Sequence, residues 1–146
     1  MPILLFLALT LFSPLSWPER HPTHECQIYT DQASLTKAWV RDGGDPAKVP
    51  VVDWNKHIVV AAFAGQKPSA GYQIKISTVA IQAGENKFWD LYVIYKETEP
   101  TGMAAQVISY PSHVTRVSRV NTTGKVYFLK EGSQEASQIR ARLKPR

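Results

Sequence analysis

Ile58-Val-Val-Ala-Ala-Phe63 is apolar at every position. A strand points successive side chains to opposite faces, so this run needs cover on both sides, and the chain must build layers around one central strand. Next come the turn-rich insert Gly65-Gln-Lys-Pro-Ser-Ala-Gly71 and a second strand-like run, Tyr72-Gln-Ile-Lys-Ile76. Pro68 fixes φ and lacks a donor, and the glycines admit positive φ, so the insert leaves strand geometry. The expectation is a protruding hairpin loop, longer than the about two residues a minimal reversal needs. Loops held between rigid strands concentrate binding surfaces, and a solvated turn without a partner is the plain alternative.

The flanking sequence extends the β pattern. Apolar residues occupy even positions at Tyr72, Ile74 and Ile76, then odd ones at Val79 and Ile81, so a bulge or bend is expected at Ser77-Thr78. Glu85-Asn86 suits a turn joining this strand to Lys87–Lys96 in a long hairpin. After a loop at Glu97–Met103, further segments run at Ala105–Tyr110, His113–Val120 and Lys125–Leu129. Asp31 can cap a short helix with Leu35, Ala38 and Trp39 on its sheet-facing side, stopped by Gly43-Gly44. Turn signals about every ten residues favour a mainly β fold, an antiparallel β-sandwich or partly closed barrel with one short N-terminal helix.

With 146 residues, the chain suits one domain. Residues 1–18 carry no charged side chain, and Ile3–Phe12 has the length of a signal-peptide apolar region. About ten apolar residues followed by Pro14 and Pro18 are too few for a stable membrane span. The expected division is a signal peptide at 1–18, a polar lead-in at 19–27, a β domain at 28–132 and a basic C-terminal tail at 133–146, in an exported, periplasmic or extracellular protein. Cys26 is the single cysteine, so no intrachain disulfide forms. The net charge of +5 is concentrated at Arg140, Arg142, Lys144 and Arg146, and the balanced remainder argues against nucleic acid as a partner.

Catalytic and cofactor patterns are weak. His21, His24 and Cys26 are metal-ligand types within six residues, but a distant second ligand pair is not evident. Ser34-Leu-Thr-Lys37 lacks the companion motifs of a serine-lysine enzyme, and Thr123-Gly-Lys125 lacks the rest of a phosphate loop. Asn121-Thr-Thr123 fits a glycosylation sequon. Nothing brings Asp53, Asp90, Glu97 and Glu99 together in pairs. No cofactor and no metal are expected, and a binding module is favoured over an enzyme.

Val52-Asp53-Trp54, Ile58–Gly65, Lys67-Pro-Ser-Ala-Gly-Tyr72 and Ser109-Tyr-Pro-Ser112 together resemble the C-terminal domain family of the protease complex subunit PrcB, over about residues 50–130. The resemblance implies an exported noncatalytic companion that associates with a proteinase and supports its assembly or stability. Pro68–Tyr72 is also similar to the N-P-T-T-G-[YF] loop of chagasin-like protease inhibitors, an immunoglobulin-like fold. Gln66-Lys67 departs from that pattern, and the R-P-[WF] loop is missing. Lys67, Pro68, Ser69, Gly71 and Tyr72 are therefore the expected partner-binding residues, with protease inhibition through the 65–72 loop as the alternative function.

Overall fold

The computed structural model describes residues 6–83, 88–120 and 124–143. His57–Ala64 is a strand whose two faces enter two different cores. Ile58, Val60, Ala62 and Ala64 pack between two sheets, while Val59, Ala61 and Phe63 pack outward beneath a helix. The uninterrupted apolar run is thus explained by cover on both faces, as its pattern requires.

In chain order the elements are β1 (Leu7–Ala8), β2 (Leu11–Leu15), β3 (His24–Tyr29), α1 (Gln32–Arg41), β4 (His57–Ala64), β5 (Gln73–Ala83), β6 (Trp89–Thr98), β7 (Ser112–Ser118), β8 (Val126–Lys130) and α2 (Gln134–Ala141). One sheet has the order β1-β5-β6-β8 and the other β2-β7-β4-β3. The central core between them includes Ile74, Ile76, Val79, Leu91, Val93 and Val117. Helix α1 covers the outer face of the second sheet through Leu35, Ala38 and Trp39, and α2 covers the first through Ala136 and Ile139. The resulting layers are helix, sheet, sheet, helix.

Local chemistry explains where the elements begin. The Asp31 carboxylate accepts from Ser34 N at 2.7 Å and caps α1, as its position before the apolar spacing suggests. The parity change in β5 becomes a register shift between Ile76 and Thr78 against β6. Ser77 stands at that shift, and its hydroxyl donates to Ile94 O at 3.1 Å.

Four expectations need correction. The sheets do not close into a barrel, and β8 runs parallel to β6, so the sandwich is not purely antiparallel. A second helix, α2, occupies the segment read as a basic tail. Ser133 caps it, Ala136 and Ile139 are buried, and Arg140 bonds Ser77 Oγ and Glu131. Strand pairing begins well before Ile28, because β3 starts in the polar lead-in and β1 and β2 lie within residues 1–18. Finally, Ala105–Tyr110 is not a strand; apart from a bridge at Ser109 it is irregular. The Glu85-Asn86 turn, the sequon at 121–123, and Lys144 and Arg146 lie outside the described residues.

Candidate functional site

The Gly65–Gly71 insert is not a hairpin loop. Its two flanking strands belong to different sheets, so the segment crosses the end of the sandwich. β4 already has β3 and β7 as neighbours, and β5 has β1 and β6, which leaves no edge for β4 and β5 to pair. The segment is also fastened rather than freely protruding. Lys67 N donates to Ser109 O at 2.8 Å, Ser109 N returns a bond to Lys67 O at 3.0 Å, and Ala70 N donates to Ala105 O at 3.0 Å. Ser109 Oγ adds a 2.8 Å bond to Ser69 O.

These bonds bring most of the expected residues together. Lys67, Ser69 and Tyr72 are half-buried, and Pro68 and Gly71 are exposed. Lys67 Nζ lies 5.6 Å from the centroid of the Tyr72 ring and 3.9 Å from Glu97. Glu97 also holds His24 Nε2 at 2.9 Å, so two basic groups converge on this carboxylate at the end of β6. Gly71 has φ +93°, and a Cβ there would stand 2.7 Å from Pro100 Cβ. Only glycine satisfies both the left-handed conformation and the close approach of the two loops.

A surface not anticipated from the sequence adjoins this loop. Ala70, Gly71, Pro100, Met103 and Ala105 help line an open groove of about 440 Å³. Met103 is fully exposed, and Val107 and Ile108 are 60% and 55% exposed. Val107 and Ile108 lie between the two positions at which this strip is bonded to the 67–70 backbone. Their apolar character was legible, but Ala105–Tyr110 was expected only as a further segment of the β pattern. The pairing that turns the strip outward is long-range and has no local signature.

Beneath the site, His113 Nδ1 accepts from Ile76 N at 2.8 Å and ties β7 to β5 across the sandwich. Burial, followed by the positive charge of Lys75, holds its pKa below 6.5. The accepting nitrogen requires the neutral ring at this position.

The other chemical candidates have separate structural partners. Asp90 accepts from Lys125 N at 2.8 Å, and Asp53 accepts from Asn55 N at 3.2 Å. His24 faces Glu97, whereas His21 lies near Asp42 and Glu25, at 2.9 and 2.6 Å. Cys26 packs against the inter-sheet core. Burial, with Glu25 second, pushes its thiol pKa up to about 12, far from nucleophilic chemistry. Among the described residues, no group of three or more His, Cys, Asp and Glu side chains is arranged to hold a metal ion. Burial pushes the Asp42 carboxyl upward, but hydrogen bonds from Arg41, Trp17 and His21 outweigh it and leave its pKa below 3.8. This buried polar cluster was missed in the sequence because its members come from Trp17, from the lead-in and from the end of α1.

Among the described residues, no helix is long and apolar enough to cross a membrane. No curated protein and no solved structure matches the chain. The region that does match runs from the second residue of β4 to the last residue of β7 and contains the crossing loop, the strip facing it and His113. Residues 58–118 match the family described as PrcB C-terminal.

Proposed function

We propose that this protein is a noncatalytic binding domain that associates with a proteinase and supports it, using the end of the sandwich formed by Lys67–Tyr72 and the facing strip. The observation that carries the reading is the backbone bonding of Lys67 and Ala70 to Ser109 and Ala105, which sets exposed Val107 and Ile108 beside the polar loop. An apolar centre with a polar, charged margin is the usual composition of a protein-binding patch. The PrcB C-terminal match over the same residues supports a proteinase complex as the setting.

The chemistry asked of the domain is adhesion. Val107, Ile108 and Met103 lose water against the partner, while Lys67 and Ser69 fix orientation. A Lys67→Ala, Ser69→Ala variant and a Val107→Asp, Ile108→Asp variant should retain wild-type circular dichroism. Each should lower capture of proteolytic activity from extracts of the producing cells by about tenfold or more, a loss of about 1.4 kcal/mol of binding free energy. Equal capture by wild type and both folded variants would overturn this surface assignment. Failure of wild type to retain any proteinase would overturn the proposed partner class.

The exported setting belongs to the same proposal. Fractionation of cells carrying a C-terminally tagged full chain checks it, with the tag expected in the periplasmic or extracellular fraction. Tagged protein confined to the cytosol would remove export.

A further inference from the structure

Three hydrophobic clusters stabilise the described fold, and the segment from Phe6 to Trp17 contributes one buried side chain to each. Phe6 packs with Ala80, Ile94 and Ile139 under α2. Leu9 enters the core between the sheets beside Val79 and Val117. Trp17 joins Tyr29, Trp39 and Phe63 under α1, with its ring stacked on Tyr29 and edge-on to Trp39. A segment of ordinary surface chain would not reach all three clusters.

The backbone is tied down along the same path. Leu7 and Ala8 pair with Ile81 and Ala80, and Leu11, Pro14 and Leu15 pair with Val117, Thr115 and Val114. Leu9 N donates to Val79 O at 2.8 Å. The fully buried Thr115 hydroxyl donates to Phe12 O at 2.7 Å, and Trp17 Nε1 donates to buried Asp42 at 3.0 Å. Pro14 also suits its place: β2 is an edge strand with a register irregularity, where a missing backbone donor is tolerated.

We infer that residues 6–17 are a permanent strap of the folded protein and stay attached after any export, instead of being removed as a leader. The apolar character that makes this run resemble a leader is the character required to reach three cores. Its removal would uncover the outer edges of β5 and β7 together. It would also leave the Thr115 hydroxyl without its short hydrogen bond and take one donor from Asp42. Exposed strand edges and vacated core positions are both costly in a marginally stable fold.

The test uses the full chain produced in its own cells. Intact mass and N-terminal sequencing of the purified folded protein should find Phe6–Trp17 present, and recovery of folded protein that begins after Trp17 would overturn the inference. On the retained chain, hydrogen exchange should show the Leu9 amide protected to a degree comparable with the β4 amides; exchange at the rate of an unstructured peptide would overturn the strap. Leu9→Asp should lower the thermal midpoint or abolish folding, whereas Ser16→Asp, at an exposed position, should leave it unchanged. A Leu9→Asp chain as stable as wild type would also overturn it.

Discussion

Gly71 demonstrates how a single residue fixes the proposed binding surface. Its φ of +93° carries a conformational cost for other residues, and its missing Cβ makes room for Pro100. Gly102 has a similar φ of +84° but no heavy atom within 4 Å of the position a Cβ would take. Gly102→Ala should therefore cost about 1–2 kcal/mol from backbone conformation alone. Gly71→Ala should cost more, because the two loops must also separate; urea denaturation of both variants checks the difference. Cys26 makes a second prediction at this scale. With a pKa of about 12, its thiol should resist iodoacetamide at pH 8 in the folded protein and react once the chain is unfolded in urea.

Helix α2 shows what makes an element legible. Its first turn has a cap at Ser133 and an acidic residue at Glu135, but only Ala136 and Ile139 mark its buried side. Two buried apolar positions in a short, mainly polar helix give little periodic signal, so the charges at Arg140, Arg142, Lys144 and Arg146 dominate the sequence reading. Ile139→Ala should nevertheless lower stability by about 2–5 kcal/mol. Gln138→Ala, on the exposed side, should have little effect in the same denaturation experiment. By contrast, α1 was legible because Leu35, Ala38 and Trp39 fall on one face after a capping aspartate. Likewise, β4 announced its two-sided burial, and β5 its bulge, because both are written in local alternation. The parallel partnership of β8 with β6 and the path of Lys67–Gly71 between sheets were not legible, since each depends on residues distant in sequence. The turn-rich character of Lys67–Tyr72 was readable, but the apolar strip beside it emerges only from tertiary bonding.

Across the whole molecule, the bond between His113 and Ile76 joins the two sheets and gives the fold a pH dependence. The unfolded imidazole titrates near 6.5, and the folded one at a lower pH. The neutral ring's contribution is therefore fully present above 6.5 and is lost as pH falls through the folded value. Urea midpoints should decline on acidification below pH 6.5, and His113→Gln, which keeps an acceptor without titrating, should reduce that slope. Asp42 acts in a separate, more acidic window. Its depressed pKa contributes stability that is present above 3.8 and is lost as pH falls through its lower folded value.

The pairing of β2 with β7 also constrains how the chain acquires its fold. Leu11 leaves the ribosome early, but its partner Val117 is made only after most of the domain has been synthesised. The apolar strap must wait without its final neighbours while β3, β4, β5 and β6 emerge, and contacts of such sequence separation form slowly. Closure of the sandwich is consequently a late event in the life of the nascent chain. The segment that finally joins all three cores spends the interval as an unsheltered apolar stretch of an unfinished protein.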